Sequence, residues 1–388
     1  MSQLTLKRTP VFTAHLRNLQ LLLLTSAMLL VFGALLIASA SMDLAADHYG
    51  NPFYFAFRQI IYILMGLVVG LVVVNVPLSW WLRSGWLCLF VAMGLLMLVL
   101  TPLGLTVNGS TRWIPLGIIN VQVSEVAKIL LIAYMAGYVV RRREELINTW
   151  KGFFKPLVVL VMAAFLLVIQ PDFGATVVIM TAAMGMIFLS GVRLSRFMPL
   201  IGLFLVAAVL LIITQPYRLK RVVAYLDPWQ DQFDTGYQLT QSLIAFGRGE
   251  WVGVGLGNSV QKLFYLPEAH TDFVFAIAAE EFGLLGSLAI LGTFTVLIWV
   301  SLNIARNAEK AGMAFGACFA YGITLLLALQ AFINMAVNTG LLPTKGLTLP
   351  LVSYGGSSMM ASCASIAILA RVEMERLDLL EHREGGKA

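Results

Sequence analysis

The chain has 388 residues, 59% of them hydrophobic and 12% charged, with a formal net charge of +6 and a mean hydropathy of +0.86. Soluble domains carry roughly 25% charged residues, so a soluble globular protein is excluded and a polytopic membrane protein is indicated. The positive balance does not point to nucleic acid, because most basic residues fall in short connections between apolar runs, where membrane topology accounts for them.

Apolar stretches of about 20 residues predict an all-α chain of about ten transmembrane helices. They lie at 19–41, 56–75, 82–102, 121–140, 155–170, 173–191, 197–214, 273–304, 314–338 and 354–372. The first run follows Lys7, Arg8 and Arg17 but exceeds the about 7–15 apolar residues of a signal peptide, so it reads as a retained helix. The fifth and sixth spans form one apolar run broken only at Gln170-Pro171-Asp172. Asp172 favours a helix start and Pro171 suits a first turn, which predicts a tight hairpin. Spans fill the whole length, so 1–388 reads as one integral-membrane domain, with a terminal segment at 1–18, a large loop at 215–272 between helices 7 and 8, and a charged tail at 373–388; the charged segment from Arg371 on reads as a short solvated helix. Cys88, Cys318 and Cys363 all lie inside apolar runs and read as packing residues, not as a disulfide framework or metal site.

The basic residues orient the bundle. Alternate connections hold Lys7, Arg8, Arg17, Arg83, Arg141, Arg142, Arg143, Lys151, Lys155, Arg193, Arg196, Arg306, Lys310, Arg371, Arg376, Arg383 and Lys387, seventeen of the 26 Lys and Arg. The positive-inside rule makes that side, and with it both termini, cytoplasmic. The other side receives 103–120, the 170–172 turn, 215–272 and 339–353. Every polar, Gly-rich or Pro-rich stretch with chemical potential is there, so the working face is expected outside.

The densest cluster is Tyr265-Leu-Pro-Glu-Ala-His-Thr-Asp-Phe273, with Glu268, His270 and Asp272 at the entrance of the eighth span and Glu280 and Glu281 just within it. Asp272 reads as a catalytic base at the bilayer surface; the plainer reading is a helix cap. A continuous helix would set it about 13 Å beyond Glu281 at 1.5 Å per residue. Glu280 and Glu281 read as structural, pairing with basic or backbone groups. Glu125 and Lys128 share a helical face, and ionisable groups inside a span face the bundle interior or a cavity. A structural pair and a ligand contact both fit; their place just after Arg112-Trp113 tips the reading toward a substrate cavity.

The 215–272 loop breaks the charge rule with Arg218, Lys220, Arg221, Arg248 and Lys262. An anion such as phosphate would compensate them, as would the acidic residues of the same loop. Leu239, Leu243 and Phe246 predict a short amphipathic helix lying on the bilayer. Gly253-Val-Gly-Leu-Gly257 is no nucleotide signature, since it follows no strand and lacks the Lys-Ser/Thr ending; it reads as flexible backbone near a substrate. Gly66–Gly70 and Gly312–Gly316 carry the GxxxG spacing of close helix contact. Pro343–Pro350, followed by Ser353-Tyr-Gly-Gly-Ser-Ser358, reads as a bent loop with hydroxyls and Lys345, tolerated at this depth only against protein or a cavity.

Four motifs carry a family resemblance: Leu266-Pro-Glu-Ala-His-Thr-Asp-Phe273, Gln170-Pro-Asp-Phe-Gly174, Asn108-Gly-Ser-Thr-Arg-Trp113 and Pro343-Thr-Lys-Gly-Leu-Thr-Leu-Pro-Leu-Val-Ser-Tyr-Gly-Gly-Ser-Ser358. Together, and in their order along the chain, they resemble the SEDS family (shape, elongation, division and sporulation) over nearly the whole chain, with Thr344-Lys345-Gly346 closer to its division branch than to its elongation branch. The resemblance implies a ten-helix peptidoglycan glycosyltransferase of the bacterial inner membrane, at the division septum. It would polymerise lipid II, an undecaprenyl-pyrophosphate-linked disaccharide-peptide, on the outer face, beside a class B penicillin-binding protein and other divisome membrane proteins. The family's essential aspartate matches Asp272, and its other polar positions match Arg112, Trp113, Glu125, Lys128, Asp172 and Lys345. His270, Ser353 and Ser357 join the expected substrate site by position. Arg218, Lys220, Arg221 or Lys345 would stabilise the departing pyrophosphate, with a divalent cation (Mg2+ or Mn2+) as a further candidate and no organic cofactor. A lipid flippase and a non-enzymatic scaffold are the rival classes. A transporter would suit Glu125, Lys128 and Asp172, but no internal inverted repeat is visible, and a scaffold leaves the Asp272 cluster without purpose.

Overall fold

The computed structural model describes residues 10–107, 109–115, 117, 119–214, 225–234, 236–344 and 346–385. Arg218, Lys220, Arg221 and Lys345 of the expected site lie outside them, as does Asn108 of the Asn108–Trp113 motif. The helices are α1 (Pro10–Tyr49), α2 (Tyr54–Val74), α3 (Leu78–Arg83), α4 (Gly85–Leu98), α5 (Val123–Arg141), α6 (Arg143–Asn148), α7 (Trp150–Ile169), α8 (Phe173–Leu189), α9 (Phe197–Ile213), α10 (Tyr237–Gly249), α11 (Val274–Lys310), α12 (Ala314–Asn338) and α13 (Gly356–Gly385). Among the described residues, α1, α2, α5, α7, α11 and α12 are long and apolar enough to cross a membrane, and α4 and α8 are shorter apolar helices. With α9 and α13, a helix occupies each of the ten predicted spans. A three-stranded antiparallel sheet, β1 (Leu105–Val107), β2 (Ser110–Pro115) and β3 (Asn120–Gln122), bridges α4 and α5.

The interior is built on α5 and α12, each 72% buried over its apolar window, whereas the corresponding window of α2 is 17% buried. α12 packs against α5, α8 and α11. Gly66 and Gly70 let α2 lie on α13, where a β-carbon at Gly66 would come within 2.8 Å of Cys363 Sγ. The expected hairpin is present: α7 ends at Ile169, and Asp172 caps α8 by accepting from Ala175 N at 3.2 Å, which leaves Pro171 before the cap and not in the first turn.

Three local expectations are corrected. The charged segment from Arg371 is not a separate solvated helix: α13 continues through it, with Glu373 and Arg376 buried and paired at 2.7 Å. α10 does not present its apolar face to the bilayer. It packs on α11, where Phe246 meets Phe275 at 5.6 Å, and Ser242 Oγ donates to the carbonyl of Asn338 at 2.7 Å.

The third correction concerns the Gly253–Gly257 run, whose first residues are not free backbone but are bonded to the broken helix α11. The helix breaks at Gly283, where φ is +66° and ψ −162°, a region essentially reserved for glycine. The polar groups released there cannot stay unpaired in an apolar bundle, and the Gly253-Val-Gly255 stretch supplies the partners. Val254 N donates to Glu280 O and Gly255 N to Glu281 O, each at 3.0 Å, while Leu284 N and Leu285 N donate to Glu250 O and Trp251 O at 2.9 and 3.1 Å. Two backbones this close exclude side chains: a β-carbon at Gly283 would stand 2.4 Å from Gly253 N. The glycine run is thus a backbone splice into a broken helix, and its glycines serve close approach.

Gly283→Ala combines that clash with about 1–3 kcal/mol of backbone strain. It should lower the melting temperature of the detergent-solubilised protein, while Gly292→Ala, open to a β-carbon in the same helix, should not. Equal melting of the two variants would contradict the splice.

Candidate active site

Asp272 closes a turn whose apolar residues face inward and whose polar residues face outward. Leu266, Ala269 and Phe273 are buried, whereas Glu268 is exposed and His270, Thr271 and Asp272 are half-buried. Glu268 takes a left-handed φ of +58°, which aims its carbonyl at Thr271 N (3.1 Å) and Phe273 N (3.2 Å). Thr271 Oγ1 donates to the Glu268 carboxylate at 2.7 Å. Phe273 is the residue before α11, and no side chain caps that helix. The Asp272 carboxylate therefore does not act as a cap.

The Asp272 carboxyl pKa is pushed up to about 7, by burial first and by the nearby Glu268 carboxylate second, with the Arg112 guanidinium opposing. Its side chain has no hydrogen-bond or ion-pair partner among the described residues, while its backbone is held tightly. Asn334 Nδ2 and Asn338 Nδ2 both donate to the Asp272 carbonyl, at 2.8 and 3.0 Å. Gly346 lies against the carboxylate, since a β-carbon there would be 3.0 Å from Asp272 Oδ2. His270 is wedged between Phe55 (4.9 Å) and Tyr354 (5.4 Å). Burial lowers its pKa, so it is neutral near pH 7, and its carbonyl accepts from Tyr354 N at 3.0 Å.

Arg112, on β2, reaches across to the α7–α8 hairpin. Its Nη2 donates to Pro171 O, Nε to Gln170 O at 3.4 Å, and Nη1 stands 4.0 Å from Asp172. Asp172 is itself buried and accepts from Ser124 Oγ at 2.8 Å. Trp113 pairs with Leu105 on one side and Gln122 on the other. Ser357 Oγ accepts from Gln122 N at 3.0 Å, and Ser353 Oγ accepts from Leu349 N at 2.8 Å. Both serines are buried and serve the loop backbone. Glu125 and Lys128 form a buried pair at 2.7 Å, and Lys128 also donates to Gln330 Oε1 at 2.8 Å. Gln330 Nε2 passes the connection on to Thr348 O at 3.2 Å.

Of the loop cations, Arg248 lies 3.7 Å from Glu280 and Lys262 lies 3.2 Å from Glu281. Glu280 also accepts from Ser259 Oγ, Val260 N and Gln261 N. These glutamates are paired, as their sequence reading anticipates, but with cations brought in from the preceding loop.

The sequence reading missed Asn334 and Asn338. Two asparagines four residues apart in an otherwise apolar span are the signal that could have found them, because they share a face and need buried partners.

Residues 19–377 match the profile of the family described as cell cycle protein FtsW/RodA/SpoVE. A "Probable peptidoglycan glycosyltransferase FtsW" of Marinobacter nauticus is 71% identical over 94% of this chain and 91% of that protein. One of the same name from Hahella chejuensis is 58% identical over 97% and 94%. A solved structure described as "Structural coordination of polymerization and crosslinking by a peptidoglycan synthase complex" superposes with a TM-score of 0.74 at 25% identity, covering 92% of this chain and 97% of that one.

The Asp272 environment predicts its titration. In infrared difference spectra against Asp272→Asn, the protonated carboxyl band should disappear as pH rises through about 7. Glu268→Gln removes a like charge and should move that midpoint down, whereas Arg112→Gln should move it up. A midpoint near 4 in the unaltered protein would contradict the assignment.

Proposed function

The chain belongs to the FtsW/RodA/SpoVE family of cell cycle proteins, and on that footing we propose that it is a division-type peptidoglycan glycosyltransferase in which Asp272 is the general base. The carrying observation is a half-buried carboxylate with no partner among the described residues, its pKa raised to about 7, on a turn whose backbone is tied to α12. A base working near pH 7 is most effective with a pKa close to that value, and burial beside Glu268 supplies it.

The substrate is lipid II, entering from the bilayer. The Asp272 carboxylate takes the proton of the acceptor sugar hydroxyl as that oxygen bonds to the donor anomeric carbon. The bond from that carbon to the lipid pyrophosphate breaks, and the pyrophosphate leaves with the electron pair. Attack opposite the leaving group inverts the anomeric centre, turning an α-linked donor into a β-linkage. The departing anion needs cations preorganised beside it. Arg112 is the candidate among the described residues, with Arg218, Lys220, Arg221 and Lys345 as further candidates from sequence.

A divalent cation fits the hard oxygen donors of the turn. Among the described residues no group of three or more His, Cys, Asp or Glu side chains could hold a metal, but Mg2+ typically takes one or two carboxylates together with substrate phosphates. Glu268, exposed beside Asp272, is the carboxylate we assign to it; when bound, the metal would neutralise pyrophosphate charge.

The protein sits in the bacterial inner membrane. The positive-inside distribution supports cytoplasmic termini and an extracytoplasmic site, and similarity to FtsW proteins supports work at the division septum. A class B penicillin-binding protein is the proposed partner, which would crosslink the strand, alongside other divisome membrane proteins. The flippase reading draws on Glu125, Lys128 and Asp172, yet each is committed to fixed partners inside the bundle.

Purified protein reconstituted with labelled lipid II, with and without the cognate penicillin-binding protein, should make polymer, and Asp272→Asn should lose at least about 100-fold of that rate while retaining substrate binding. Leaflet transfer without polymer would establish the flippase instead, and normal polymer from Asp272→Asn would falsify the base.

A further inference from the structure

We infer that Asn334 and Asn338 are positioning residues for Asp272, acting through its backbone; this rests on Asp272 being the base. Both side chains are buried, 2% and 0% exposed, and so stand behind the turn, away from any substrate. Among the described residues the Asp272 carboxylate has no hydrogen bond of its own to orient it, so its direction follows from the Cα–Cβ vector, which the backbone sets.

Two amides hold that backbone. Asn338 Nδ2 donates to Asp272 O at 3.0 Å and to Asn334 O at 2.9 Å, while its Oδ1 accepts from Ala276 N at 3.1 Å. One side chain thus fixes both the Asp272 carbonyl and the first turn of α11. Asn334 Nδ2 donates to Asp272 O at 2.8 Å and to Leu347 O at 2.6 Å. It ties the Asp272 turn to the loop that sets Gly346 against the carboxylate. The amide orientations are dictated by carbonyls facing each nitrogen and an N–H facing the Asn338 oxygen. The task requires asparagine chemistry: a hydroxyl has one donor and a carboxylate none, whereas each NH2 here serves two carbonyls. The hold also runs deeper, because Gln330, one turn below Asn334 on α12, links Lys128 to Thr348 in the same loop.

Misplacing a reacting group by about 1 Å can cost roughly 100-fold in rate. Asn334→Ala and Asn338→Ala should therefore lower kcat about 10–100-fold with KM for lipid II little changed. They should also move the acidic limb of the pH–rate profile to lower pH, since a loosened carboxylate gains solvent and ionises more readily. Ser242→Ala serves as the control for lost packing: it removes a hydrogen bond to the Asn338 carbonyl and should leave the limb in place. If the alanine variants fail to fold, Asn338→Gln, which keeps both amide functions but displaces them by one methylene, should give the same kcat loss and limb shift. Unchanged kcat in the folded variants, or a kcat loss with an unmoved limb, overturns the inference. Asp272→Asn assayed in parallel separates the two ideas: if it polymerises normally the base reading fails, and if it is inactive while the asparagine variants are normal only the positioning role fails.

Discussion

In an apolar bundle a buried carboxylate is tolerated only with a partner, and that constraint organises this protein. Among the described residues Glu125 has Lys128, Glu280 has Arg248 and three further donors, Glu281 has Lys262 and Ser39, and Glu373 has Arg376. Asp172 is held by Ser124 and the start of α8. Removing one member of such a pair typically costs about 3–5 kcal/mol, so these residues act as fasteners. Asp272 stands apart from them: its backbone is tied down, and its carboxylate has no tie among the described residues. Its pKa is raised to about 7 by burial first and by the Glu268 carboxylate second, with the Arg112 guanidinium opposing.

The break at Gly283 and the asparagine pair serve the same end from two directions. The break tilts the first turns of α11 away from the axis of the rest of the helix, and the glycine splice absorbs the backbone groups that this exposes. The asparagines then receive the end of that segment from α12, whose apolar window is 72% buried. The Asp272 turn is mounted on the buried core even though it lies in a connection between helices. Such mounting suits chemistry in which geometry and preorganised charge supply most of the acceleration.

Much of this was legible from the chain. Ten apolar runs sufficed for the helices, because a bilayer demands about 20 residues per crossing, and the hairpin at Gln170-Pro171-Asp172 followed from helix-start chemistry. Asp272 stood out because it lies in a cluster of titratable residues in a chain that is otherwise sparing with charge. What stayed hidden depended on distant partners. Glu125 and Lys128 could be placed on one face, but that they are closed by Gln330, 202 residues away, depends on tertiary packing. The Gly253–Gly257 run looked like flexible backbone because nothing local reveals the broken helix it splices. Leu239, Leu243 and Phe246 had the periodicity of a bilayer-surface helix, and periodicity does not distinguish a lipid surface from a protein one. The roles proposed for Arg218, Lys220, Arg221 and Lys345 rest on sequence alone.

The most direct test is a high-resolution structure of the reconstituted protein holding a non-hydrolysable lipid II analogue together with an acceptor saccharide. The account predicts the acceptor hydroxyl within about 3.2 Å of the Asp272 carboxylate and the donor pyrophosphate on the cationic side of that turn. An acceptor lodged elsewhere, with Asp272 facing lipid or closed off from the saccharide, would contradict it.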